Sequence, residues 1–131
     1  MVTKKIILID SENREIKEVV INRSECLSKS YELIGNGCHT VATVIHLAQG
    51  DAIMGDDEAY FTPDLCGFRY ERMFVYGNAV IWGMDVEGDL DDVKTPIAEI
   101  KANVRWVDRS ESDKIREIVN NTPPTILTWD I

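Results

Sequence analysis

The stretch Gly77-Asn78-Ala79-Val80-Ile81-Trp82-Gly83-Met84-Asp85 constrains the fold of this chain more than any other. Val80, Ile81 and Trp82 suit a pleated, packed surface. The run is too short for an ordinary helix and glycines bracket it, so it reads as a buried central strand. Gly77-Asn78 is a turn dipeptide. With Phe74-Val75-Tyr76 ahead of it, it predicts a two-residue hairpin with positive φ at both turn positions. Gly83 inside the strand marks a bulge or a close backbone approach; the sharper alternative is space for a ligand or a second chain.

The segments around this strand predict an α+β fold, mostly antiparallel β-sheet with two or three short helices. Lys4 to Asp10 is apolar on both faces and reads as an interior strand. Arg14 to Asn22 alternates through Ile16, Val19 and Ile21, which predicts the second, edge-side strand of an N-terminal hairpin. Asn22 is placed to cap a helix over 23–34 that Gly35 ends. Gly35-Asn36-Gly37 leads into strand-like Cys38 to Leu47 rather than a helix, so it is not a phosphate-cradling loop. Asp51 to Gly55 predicts a short strand and Ala59-Tyr60-Phe61 a strand end. Most aromatic residues lie between Tyr60 and Trp82, which places the main core there. Thr95-Pro96 predicts a helix start, with threonine as cap and proline at the first helical position. Asn103 to Val107 reads as a strand. Ser110-Glu111-Ser112-Asp113 resembles a capping box opening a helix with Ile115, Ile118 and Val119 on one face. The tail 122–131 carries Ile126, Leu127, Trp129 and Ile131, and is expected to dock on the body or on a neighbouring chain, making a homo-oligomer.

A length of 131 residues fits a single domain, 1–131, with a real core. The net charge of -9 argues against direct nucleic-acid binding, which rests on lysine and arginine. It also permits imitation of nucleic acid toward a basic partner. Cys26, Cys38 and Cys66 form no C-x-x-C, and Ile6-Ile7-Leu8-Ile9 is too short for a signal peptide or a membrane span. A reducing, cytoplasmic setting with no membrane association is the expectation.

No catalytic residue, metal site or cofactor stands out. His39 and His46 are seven apart, which places them on opposite strand faces. The acidic residues Asp85, Glu87, Asp89 and Asp91, with Asp92, would line one face if extended. They lack the calcium-loop spacing and read as a solvated loop, or as an acidic face imitating phosphates. Arg69 and Arg72 lie beside Tyr70, and Arg105 and Arg109 flank Trp106. Arginine grips phosphate bidentately and stacks on rings. These six, with Asn78, form the candidate ligand-binding set; ion pairing within the chain is the plainer alternative for the arginines.

The order of "SYELIGNGCHTVATV", "GDAIMGDDEAYF" and "YGNAVIWGMDVEG" before a final helix resembles a family of small uncharacterised phage- and plasmid-borne proteins. The resemblance spans about residues 4–110, in strand and turn signatures rather than catalytic ones. More distantly, the layout is similar to phage counter-defence proteins that sequester cyclic nucleotide or cyclic ADP-ribose immune signals. It implies a non-enzymatic accessory protein in the host cell cytoplasm that captures a small anionic nucleotide-type signal. The alternatives are an acidic inhibitor that blocks a basic host defence protein, a general protein-interaction module and, last, a small carboxylate enzyme.

Overall fold

A computed structural model describes residues 2–35, 37–38, 40–47, 49–59 and 64–121, the last three as backbone. It shows an α+β fold with nine strands and three α-helices among those residues, the strands dividing between two antiparallel sheets. The predicted tail 122–131 and His39 lie outside the described residues.

The larger sheet contains β1 (Thr3–Asp10), β2 (Glu15–Asn22), β3 (Val41–His46), β4 (Ala52–Asp56) and β7 (Ala79–Met84). Their order is β2-β1-β7-β4-β3, and the short β8 (Leu90–Asp91) pairs with the end of β7. The glycine-bracketed run is therefore central, as its composition predicts. β1 is interior and β2 an edge, also as read from their patterning.

Both faces of this sheet are buried, and alternation decides which residue goes where. Ile7, Ile9, Ile53, Ala79 and Ile81 face one side; Ile6, Leu8, Ala52, Met54 and Val80 face the other. Each fully buried isoleucine contributes about 2 kcal/mol by removal from water. The second face is covered by α1 (Cys26–Ile34) through Ile34, Leu33 and Cys26. Asn22 accepts the Ser24 N–H at 3.2 Å, and Gly35 ends the helix with φ +70°, both as expected. Trp82 Nε1 donates to Ser30 Oγ at 3.1 Å and fixes the helix on the sheet.

The first face packs on the smaller sheet, in which β5 (Gly67–Tyr70) lies between β6 (Met73–Tyr76) and β9 (Val104–Val107). Phe68, Tyr70 and Val75 point into the shared core with Ile100 of α2 (Ile97–Asn103). Here the hairpin expectation fails. The two-residue turn is Glu71-Arg72, with Tyr70 opposite Met73. Gly77-Asn78 instead carries the chain from one sheet to the other. Gly77 has φ +75°, but Asn78 is not in the left-handed region. Ser11 holds this crossover: its N–H donates to Asn78 Oδ1 at 2.8 Å and its hydroxyl to the Gly77 carbonyl at 2.5 Å.

Two helix starts are also corrected. Thr95 does not cap α2; its hydroxyl donates to Asp51 at 2.6 Å, and Pro96 is the cap residue. α3 (Arg109–Asn121) is capped by Asp108, whose Oδ1 accepts the Glu111 N–H at 2.9 Å, rather than by Ser110. Ser112 is buried and Ile115 half-buried, while Ile118, expected on the same apolar face as Ile115, is 65% exposed.

Two residues fix the central region. A Cβ on Gly83 would lie 2.0 Å from the Asp92 carbonyl oxygen, so the space that glycine leaves is filled by the backbone of Asp91 and Asp92, not by a ligand or a second chain. Asp51 is fully buried, and its carboxylate accepts the Thr95 N–H at 2.7 Å, the Thr95 hydroxyl and the Lys94 N–H. Gly83→Ala is expected to lower stability by about 2 kcal/mol or more, read as the urea midpoint. Asp51→Asn puts an NH2 group among donors and is expected to lose about 2 kcal/mol in the same assay.

Candidate functional site

Strand β9 decides the fate of the predicted ligand set, because neighbouring residues on a strand point to opposite faces. In the β5–β9 register, Arg69 lies opposite Arg105 and Phe68 opposite Trp106. Phe68 and Trp106 belong to the core side, so Arg69 and Arg105 share the outer face. Tyr70 is 3% exposed in the core and cannot stack on a ligand. Asn78 is engaged by Ser11. Arg109 is bound to Glu12 and lies 3.7 Å from Asp64. Arg72 is exposed on the β5–β6 turn. The set is thus one cross-strand arginine pair, one half-buried indole and several residues with structural work.

Trp106 nevertheless lines a cleft. Its other walls are Arg14, Glu15, Ile16 and Lys17, where the N-terminal turn enters edge strand β2, and Lys101 and Val104 at the end of α2 and the start of β9. The cleft is open to solvent and has a volume of about 420 Å³. Arg14 sits at φ 54°, a backbone region disfavoured for residues with a Cβ. Sequence reading misses Arg14, Lys17 and Lys101, and no local signal marks them: the two walls are far apart along the chain and meet only through tertiary packing.

Most of the cations without an ion pair gather in two places, Lys114 on α3 lying apart from both. Arg14, Arg69, Arg72, Lys101, Arg105 and Lys114 form no ion pair among the described residues. Arg14 and Lys101 line the cleft, and Arg69, Arg72 and Arg105 lie on the small sheet. Lys17 approaches Glu15 only at 3.8 Å, with both side chains exposed.

The acidic segment does not extend into one face. Asp85 closes a tight turn, accepting the Glu87 and Asp89 N–H groups at 2.9 and 3.0 Å. Asp92 accepts the Lys5 N–H at 2.8 Å, and Asp89 lies 3.3 Å from Arg23. Asp91 accepts the Asp92 N–H and meets Lys4 at 3.2 Å, which holds its carboxyl below the usual range. Among the described residues no three His, Cys, Asp or Glu side chains gather as metal ligands, and no helix is long and apolar enough to cross a membrane. Cys26, Cys38 and Cys66 are free thiols, each pushed up from its ordinary value chiefly by burial.

No family model, curated protein or solved structure matches this chain.

Behind the arginine pair, burial pushes the Tyr76 phenol up to about 12, against the opposing pull of Arg116. The folded state therefore holds the Tyr76 proton more tightly than the unfolded chain does. That contribution to stability is complete below the ordinary phenol value of 10 and is lost as pH rises from there through about 12. The urea midpoint is expected to fall across this window, and to fall less steeply in Tyr76→Phe.

Proposed function

We propose that this chain acts by binding, and that it captures a small anionic nucleotide-type ligand in the cleft of Arg14, Lys17, Lys101 and Trp106. The observation that carries this reading is the cleft itself: three cations, with Glu15 among them, and an indole line an open concavity of about 420 Å³ on a chain of net charge -9. Small-molecule sites are concave and commonly of this size. An indole face stacks any planar base, at about 1–3 kcal/mol per base. Arginine and lysine supply the charge-assisted bonds that phosphate oxygens accept.

The resemblance to phage-borne proteins gives the ligand class its sharper form, a cyclic nucleotide or cyclic ADP-ribose signal held away from its receptor. The rival reading, an acidic surface blocking a basic host protein, draws less support, because most carboxylates of 85–92 are engaged within the chain.

Native mass spectrometry against a panel of cyclic nucleotides and cyclic ADP-ribose isomers tests the proposal. A retained ligand at fixed stoichiometry is expected, with affinity reduced about tenfold or more in Lys101→Glu and in Arg14→Glu. A clean apo species across the panel, or affinity indifferent to both substitutions, overturns it. Salt-sensitive binding to a basic nuclease would then favour the acidic-surface reading.

A further inference from the structure

The geometry points to a second anion site on the other side of β9. We propose that Arg69 and Arg105 form a clamp for a phosphate-type oxyanion on the outer face of the three-stranded sheet.

Arg69 and Arg105 are direct cross-strand partners in the antiparallel β5–β9 ladder. Like charges in that relation repel. The chain carries 23 Asp and Glu residues, and many of its other cations have found one: Lys4 pairs with Asp91, Lys5 with Glu18, Arg23 with Asp89 and Arg109 with Glu12. Neither clamp arginine has a carboxylate within ion-pair distance among the described residues. Two arginines thus occupy opposed positions on one sheet face without an ion-pair partner among the described residues.

Arg69 rests on a fixed aromatic platform, and Arg105 is exposed beside it in register. Phe74 lies opposite Arg69 on β6, and its ring sits under the Arg69 guanidinium at 5.9 Å. The ring lies back over Gly67, where an added Cβ would come within 2.8 Å of Phe74 Cζ, so only glycine leaves it that position. Tyr76 meets Phe74 edge-to-face at a centroid distance of 4.5 Å and holds it from the far side. A guanidinium seated on a fixed ring loses less freedom on gripping a ligand. A carboxylate satisfies one such fork. Two forks turned onto one ligand suit a group with about two negative charges and three acceptor oxygens, which is a phosphate monoester.

The site is independent of the cleft, since Arg105 and Trp106 project from opposite faces of β9. Nitrogen-15 NMR of the arginine Nε–Hε groups, titrated with inorganic phosphate at constant ionic strength, reads it directly. Arg69 and Arg105 are expected to shift together on one saturating curve, while Arg72 and Arg109 do not. Arg69→Gln and Arg105→Gln should each weaken phosphate binding about tenfold or more, and Arg105→Lys should weaken it while leaving the amide spectrum folded. Lys101→Glu, which disables the cleft, should leave the curve unchanged. A nucleoside monophosphate and a phosphoserine peptide at equal concentration then identify the source, the tighter one being the natural form. Shifts that grow together at every arginine without saturating, or clamp variants that bind phosphate as the parent does, overturn the proposal.

Discussion

The buried carboxylate of Asp51 is the interaction on which the second half of the molecule depends. It sits at the start of a central strand with no solvent exposure. A buried charge is tolerable only when donors surround it. Here the donors are the backbone of Lys94 and Thr95 and the Thr95 hydroxyl. The bond therefore ties the linker after β8 to the middle of the large sheet. From that fixed point the chain enters α2, and α2 delivers β9 to the small sheet. Lys101 and Trp106 owe their position in the cleft to this attachment, although neither touches Asp51.

The second organising constraint is the period of two. It buries both faces of the large sheet with a single alternating set of aliphatic residues. It also separates neighbours that look like one constellation when read along the chain. Arg105 and Trp106 are adjacent in sequence and serve opposite faces, while Arg69 and Arg105 are brought side by side. In a strongly acidic protein, cations without a carboxylate partner define where an anion is welcome. Here such cations lie along the cleft, on the small sheet and, as Lys114, on α3.

Much of the fold is legible in the sequence because local chemistry and tertiary packing agree. The glycine-bracketed apolar run becomes the central strand, the doubly apolar β1 becomes its neighbour, and Asn22 and Gly35 bound the first helical stretch as their types dictate. The failures share a cause. Gly77-Asn78 has hairpin chemistry, but its flanking strands belong to different sheets, and Ser11 from a distant turn decides its path. Thr95 has cap chemistry, yet a buried carboxylate competes for its hydroxyl and wins. Ser110 yields to Asp108, an equally good cap two residues earlier, whose carboxylate takes the Glu111 N–H. The candidate site is only partly legible for the same reason: Arg69, Arg105 and Trp106 can be named from their types, but their faces follow from register, and Arg14, Lys17 and Lys101 from packing between remote segments.

That remoteness has a thermodynamic meaning. One wall of the cleft is built near the beginning of the described chain and the other near its end, so no fragment carries both. A molecule spanning the two walls would recognise only the fully assembled fold, because in the unfolded chain its contacts are scattered over unrelated stretches. Occupancy and folding then become linked equilibria, and free ligand at a hundred times its dissociation constant would add about 2.7 kcal/mol to the stability of the whole domain. In a chain built this way, heat resistance reports on ligand as directly as any binding assay.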